Sequence, residues 1–325
     1  MMTTGFYTHR DCRLHEMGAG HPERPERLDA IHDRLIASGL ANVVDQREAP
    51  LARLDMIELA HSASHVQAMH EAAQQLAGEV NAGGRTYLQI DPDTAMNPHT
   101  WNAILRGAGA ATAAVDAVMS GELANAFCAV RPPGHHATHD RAMGFCIFNN
   151  VAIAAKYALE HHGLERVAVV DFDVHHGNGT EDILSGDPRC LMVGIFQHPF
   201  YPYSGTNHPA SNMLNLPVAA YTRGAPIREM FTNALIPRLD AFKPEMILIS
   251  AGFDAHKEDE LGQLGLVEAD YAWITEQIMG VAQRHARGRI VSSLEGGYTL
   301  GALARSVEAH IRVLAGAANS PPERI

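Results

Sequence analysis

The sequence predicts a single doubly wound α/β domain, and three observations carry that prediction. Short apolar runs alternate with amphipathic stretches along the chain. Several runs are apolar at every position, the mark of strands covered on both faces of a parallel sheet. No internal repeat, low-complexity linker or shift in composition divides the chain. With 325 residues, 46% of them hydrophobic, there is enough apolar material for one large core. The domain is expected to span residues 1–325, with a core from about 5 to 315 and a frayed tail over 316–325.

Each element has its own local reason. The stretch from Gly18 to Gly39 reads as a loop entering a helix, because PERPERL places prolines before a regular amphipathic run. Pro98–Met119 is helical by apolar periodicity, as are Asn150–His161, Glu268–Arg284 and Leu300–Leu314. Between them stand short runs rich in β-branched and apolar residues and bounded by Gly, Asp or Pro. These are Phe127–Val130, Val167–Val170, Leu191–Phe196, Met246–Ser250 and Ile290–Leu294, and they read as strands.

Composition narrows the function. Acidic residues number 37 and basic ones 25, a formal charge of −12, which argues against a phosphate-binding surface for nucleic acid and suits a cationic substrate. The cysteines Cys12, Cys128, Cys146 and Cys190 form no CxxC pair, so they are expected as reduced buried thiols. There is no signal peptide pattern and no apolar run of about 18 residues. These features together lead to the expectation of a cytoplasmic protein that does not engage membranes.

In such sheets ligands bind beyond the carboxyl ends of the strands. Four strand ends here deliver glycines together with His, Asp or Tyr. Phe127–Val130 leads into Arg131-Pro-Pro-Gly-His135-His136. Val167–Val170 leads into Asp171-Phe-Asp173-Val-His175-His176-Gly-Asn178. Met246–Ser250 leads into Ala-Gly-Phe-Asp254-Ala-His256, and Ile290–Leu294 into Glu295-Gly-Gly-Tyr298. Asp173 and His175, two apart on extended chain, point to one side. With Asp254 they make two carboxylates and one imidazole, a set suited to catalytic Zn²⁺ or a similar divalent ion. Two carboxylates neutralise the ion, so its water is less acidified and a general base has more to do. His135 and His136 can supply that base, with Asp171 and Asn178 as candidates to hold their outer nitrogens. Tyr298, after two glycines, can donate a hydrogen bond to a developing oxyanion. These parts describe metal-assisted hydrolysis of an amide or ester without a covalent intermediate. His176 and His256 read as supporting or loop residues, and Arg131 as the partner of an acid. His161 and His162 read as helix C-terminal residues favoured by the dipole, and His61, His65 and His70 as one polar helix face.

RPPGHHA, GFCIFNN, DFDVHHGNGT, SAGFDAH and LEGGY occur in the order seen in the zinc-dependent histone deacetylases and their bacterial relatives, the deacetylase-like and acetylpolyamine amidohydrolases. The segment GHPERPERL also resembles that family's N-terminal loop, and the likeness runs from about residue 5 to residue 315. It implies the arginase/deacetylase fold, a three-layer domain with an eight-stranded parallel sheet between helices. It implies removal of an acetyl or similar acyl group from a lysine-type amine, with acetylpolyamines or small amides as the alternative substrates. Residue by residue, Asp173, His175 and Asp254 match the ligands of one zinc ion. His136 matches the general base and acid, His135 its electrostatic neighbour, and Tyr298 the tyrosine that polarises the carbonyl. Asp171 matches the residue that orients the first histidine and helps bind a structural potassium ion near Asp173 and His175. Gly194 stands where a potassium-binding serine is common. Asn178 stands where class II members have Asn and class I members Asp. Phe145 and Tyr201 match the walls of an acyl-lysine tunnel, and Gly144 would offer its carbonyl to the substrate amide. Leu261 occupies the gatekeeper position, which carries glutamate in polyamine-specific relatives, and Glu258, Asp259 and Glu260 lie close by. Asp91 and Asp93 are rim candidates, read otherwise as a turn with a helix cap. A two-manganese arginase-type site is disfavoured, because Gly177 and His256 stand where further carboxylates would be needed. Related sheets assemble as dimers or tetramers.

Overall fold

The computed structural model describes residues 3–317. Among the described residues ten strands form: β1 (Thr3–Thr8), β2 (Asp45–Glu48), β3 (Leu88–Asp91), β4 (Thr94–Met96), β5 (Leu123–Cys128), β6 (Val167–Asp171), β7 (Cys190–Gln197), β8 (Met213–Val218), β9 (Met246–Ala251) and β10 (Ile290–Leu294). Eight of them make one sheet in the order β2-β1-β5-β10-β9-β6-β7-β8. Every pairing in that sheet is parallel. The remaining two, β3 and β4, form a small antiparallel hairpin. The expected three-layer α/β fold with an eight-stranded parallel sheet is the fold observed.

The central strands were legible because they are wholly buried. All residues of β6, β7, β9 and β10 are inside, so selection for burial left continuous apolar runs. Strands at the margins carry no such signature. Edge strand β2 reads DQRE and alternates between half-buried and exposed positions. Edge strand β8 contains Pro217, which cannot donate to a ladder. Strand β5 ends at Cys128, two residues before the expected limit, although the Ala129 amide still donates to the Tyr7 carbonyl of β1 at 2.8 Å.

The helices Thr100–Met119 and Asn150–His162 pack together over one face of the sheet. Glu26–Ala37, Leu300–Leu314 and Glu268–His285 pack together over the other. Their boundaries have local causes. Asn149 caps Asn150–His162, its side chain accepting from Ala152 N at 2.9 Å, and Gly163 closes that helix in the left-handed conformation. Ser62 caps Ala63–Asn81 by accepting from His65 N. All four cysteines are buried and unpaired, as expected. No helix among the described residues is long and apolar enough to cross a membrane. Residues 318–325 of the expected tail lie outside the described residues, while Ala317 packs on the core.

One expectation is corrected. His61 and His65 do not lie on a polar helix face; both are buried. The His61 ring bonds the carbonyl of Thr138 and accepts from the amide of Asn149, and His65 Nε2 bonds the carbonyl of Ile147. They tie down the segment 138–149, whose buried backbone groups would otherwise lack partners.

Candidate active site

Strand order decides the site. The four motif-bearing strands, β5, β10, β9 and β6, are consecutive neighbours in the sheet, so their carboxyl ends sit side by side. The turn after β6 is built by its own acids. Asp171 accepts from Asp173 N at 3.1 Å, and Asp173 accepts from His175 N at 2.9 Å, each carboxylate capping the amide two residues on. The result points Asp173 and His175 towards Asp254, whose Oδ1 accepts from Val174 N at 2.9 Å.

Asp173, His175 and Asp254 each present a ligand atom within 4.8 Å of the others. His175 Nδ1 lies 3.0 Å from Asp173 Oδ1 and 3.3 Å from Asp254 Oδ2. The Asp254 oxygen is buried and makes no aligned hydrogen bond, an orphan that calls for a cation. Gly296 donates to Asp173 Oδ2 at 2.8 Å, and a Cβ at Gly296 would collide with the carboxylates of both Asp254 and Asp173. The glycine after Glu295 is thus required by close approach to the pair of acids. Burial and the charge of Asp173 push the Asp254 carboxyl up to about 7. Burial opposes charge on His175, yet the hydrogen bond to Asp173 and the presence of Asp254 hold it up at about 9. Two acids competing for one positive partner are a donor set that a single divalent ion would fit.

The two neighbouring histidines are held by unlike partners. His135 Nδ1 is 3.0 Å from Asp171 Oδ2, and His136 Nδ1 is 2.7 Å from Asn178 Oδ1. Burial disfavours charge on His135, but Asp173 and Asp171 more than reverse this and hold it at about 10. His136 faces a neutral amide, and burial together with His135 and His175 presses it well below its ordinary value. Adjacent rings 4.0 Å apart are therefore pushed in opposite directions by their surroundings.

A cavity of about 260 Å³ opens over this group. His136, His175 and Tyr298 line it together with the aromatic rings of Phe145, Phe200 and Tyr201. Phe200 stacks on His175 with ring centres 5.3 Å apart, and Tyr201 meets His136 edge-on at 5.2 Å. Gly144, Asp93, Glu260 and Leu261 complete the lining. Asp93 is no helix cap; it stands in the β3–β4 turn and accepts from Gly144 N at 3.1 Å. Asp91 also lies in this hairpin but does not line the cavity. A larger cavity of about 690 Å³ lies between the helices Glu26–Ala37, Glu268–His285 and Leu300–Leu314. Charges on its walls, such as Arg305 with Glu268 and Arg312 with Glu308, are paired with one another, and none of Asp173, His175 and Asp254 lines it.

Several residues at the site were not read from the sequence. Glu295 Oε2 accepts from the amides of Gly134 and His135 at 2.7 and 3.1 Å and so fixes the histidine loop. Arg27, fully buried, donates to the carbonyls of Gly297 and Glu295 and lies 4.9 Å from the Tyr298 ring centre. Arg131 does pair with an acid, as expected, and the acid is Glu23, which it binds through two nitrogens. Asp259 holds the amides of Tyr298 and Thr299. Nothing in the sequence joins Glu23 to Arg131, which is 108 residues away.

A profile of the histone deacetylase domain matches residues 21–314. The chain is 35% identical to Type-2 histone deacetylase 2 of Dictyostelium discoideum over 94% of its own length, and spans only 20% of that protein. It is 35% identical to a histone deacetylase-like amidohydrolase of Pseudomonas aeruginosa, covering 86% of this chain and 73% of the relative. A crystal structure of the HDA15 HD domain superposes with a TM-score of 0.89 at 31% identity, covering 98% of this chain and 91% of that one.

Proposed function

The chain belongs to the histone deacetylase family and is a hydrolase of that kind, and from this premise we propose that it removes acetyl or similar acyl groups from lysine-type amides. One observation carries the proposal: the Asp173–His175–Asp254 group gathers its ligand atoms within 4.8 Å of one another, and its His175 lines an aromatic-walled cavity that His136 and Tyr298 also line. The orphaned Asp254 oxygen and the glycine cradle at Gly296 fit a cation held by those three residues. A divalent ion there, zinc by the norm of the family, would supply Lewis acidity to carbonyl and water and neutralise the two carboxylates. The family's potassium position would use Asp171 and its neighbours, with backbone carbonyls in place of the hydroxyl that Gly194 lacks.

The chain's own residues divide the remaining work. His136, with Nδ1 bonded to the Asn178 oxygen, keeps a neutral Nε2 free to take a proton from the attacking water. His135, paired with Asp171, adds positive charge beside it. Burial keeps the Tyr298 phenol protonated well above its ordinary value, so it donates to the carbonyl oxygen as charge builds there. Phe145, Phe200 and Tyr201 hold the apolar stem of the acylated side chain and exclude water. Gly144 and Asp93, which line the cavity, would accept hydrogen bonds from the substrate's amide groups. A second reading, hydrolysis of N-acetylpolyamines, is favoured by Glu260, which lines the cavity beside Leu261. Glu258 is engaged with Arg305 and Asp259 with the Tyr298 amide, and Glu260 is the acid of that trio that lines the cavity.

The test joins metal analysis to a substrate panel. Asp254→Ala should lose both bound metal and turnover, and stoichiometric metal retained in that variant would refute the ligand set. Acetyl-lysine peptides should outcompete acetylputrescine and acetylspermidine, and Leu261→Glu should shift preference towards the polyamines.

A further inference from the structure

The segment that carries the cavity wall, Phe200–Gly205, is fastened to the metal-ligand loop by a closed ring of hydrogen bonds. His176, buried and next to His175, has both ring nitrogens engaged. Nδ1 lies 2.7 Å from Ser204 Oγ, and Nε2 lies 2.7 Å from Glu181 Oε2. An ionised carboxylate only accepts, so Nε2–H donates to Glu181, and Nδ1 shares the second bond with the Ser204 hydroxyl. The same Glu181 oxygen accepts from Asn215 Nδ2 at 2.7 Å, and Asn215 Nδ2 also donates to the Gly205 carbonyl at 2.9 Å. The ring thus leaves the wall segment at Ser204, passes through His176, Glu181 and Asn215, and returns to the wall segment at Gly205.

Packing reinforces this ring. Gly205 has φ +86°, and a Cβ there would sit 2.7 Å from both the His176 ring and the Phe196 ring, so the backbone lies flat on the imidazole. Phe196 in turn contacts His176 with ring centres 4.7 Å apart. Between these anchors and the site stand Phe200 on His175 and Tyr201 on His136. Tyr203, one residue before the anchor, is 72% exposed, so the segment owes its position to its tethers rather than to burial of its whole length.

We infer that Ser204, His176, Glu181 and Asn215 form a clamp that sets the bore of the acyl cavity by holding the Phe200–Tyr201 wall against the loop of His175. None of the four contacts the reacting atoms; they are positioning residues, and through the wall they determine which acyl chains fit. The inference rests on the deacylase reading. Loosening the clamp lets the wall retreat from Phe145, and each methylene a narrow apolar pocket excludes is worth about tenfold or more in discrimination.

Ser204→Ala and Asn215→Ala, each away from the metal ligands, test it, with Ser204→Thr as the variant that keeps the hydroxyl. Two measurements are made: amide hydrogen exchange over residues 199–206, and kcat/KM for butyryl-lysine relative to acetyl-lysine peptides. Both alanine variants should exchange faster in that segment and raise the butyryl-to-acetyl ratio by about tenfold, with metal content unchanged. Ser204→Thr should retain the wild-type values. Unchanged exchange would overturn the clamp, and so would Ser204→Thr behaving like the alanine. Equal loss on both peptides would show a merely structural role and overturn the assignment of specificity. A wild-type enzyme that hydrolyses neither peptide would instead refute the deacylase reading and the selectivity assigned through it, while the exchange result would still decide whether the clamp holds the wall.

Discussion

Single residues at the proposed site owe their behaviour to burial and to the charges packed around them. His135 and His136 are chemically identical neighbours, yet Asp173 and Asp171 draw one towards the charged form, while burial, His135 and His175 press the other, bonded to the neutral Asn178 amide, towards the uncharged one. Both partners were legible as Asp171 and Asn178 because they lie close to the ligand motif in sequence. Tyr298 is positioned from behind, through Asp259 on its amide and Arg27 beside its ring. If it donates to the oxyanion, Tyr298→Phe keeps metal and substrate affinity and loses roughly 10²–10³ in kcat, as expected for one such donor. Unchanged kcat with intact metal would remove Tyr298 from the chemistry.

At the scale of elements, buried histidines serve as struts between helix and sheet. His310 on the helix Leu300–Leu314 bonds Thr275 on the neighbouring helix at 2.7 Å and Ser292 on β10 at 2.9 Å. Burial presses its imidazole down to about 3, and burial with the nearby His65 does the same to His61. In the unfolded chain both would titrate near 6.5. The unfolded state therefore binds more protons between about pH 6.5 and 3, so stability is lost as the pH falls through that window. At pH 5.5 each ring should cost about 1.2 kcal/mol relative to pH 7. Urea unfolding at pH 7 and 5.5 should show a drop that shrinks by about that amount in His310→Gln, and an equal drop in both proteins would contradict the account. The elements themselves were legible to unequal degree. The strands β6, β7, β9 and β10, buried on both faces, show as apolar runs, whereas edge strand β2 buries too little to leave a pattern.

Over the whole molecule, one buried ionic cluster joins distant parts of the chain to the site. Glu23 pairs with Arg27 and Arg131, and all three side chains are fully buried. Burial opposes its charge, but Arg131 foremost, with His15 and Arg27, holds the Glu23 carboxyl well below the ordinary range. Arg131 also donates to the carbonyls of Cys12 and His15, and Arg27 to those of Glu295 and Gly297, so the N-terminal segment, the end of β5 and the end of β10 meet at one carboxylate. Glu23→Ala would leave two guanidiniums buried without their acid, and about 3–5 kcal/mol of stability should be lost. A denaturant midpoint shift worth less than about 1 kcal/mol would mean that water or other acids take over the role.

The sequence by itself determined the fold class, the strand ends that carry chemistry, and the residue types offered there. Those depend on local pattern: burial on two faces writes apolar runs, and the turns after them need the glycines and short polar residues that name the site. The tertiary structure alone decided that β5, β10, β9 and β6 are neighbours, that Glu23 meets Arg131, and that His61 and His65 are buried. Apolar periodicity says that a strand is covered but not by what, and a pairing across about a hundred residues leaves no periodic trace in the chain. Convergence of the four ends is a property of strand order, and strand order is set by how helices of particular length and packing return the chain to the sheet.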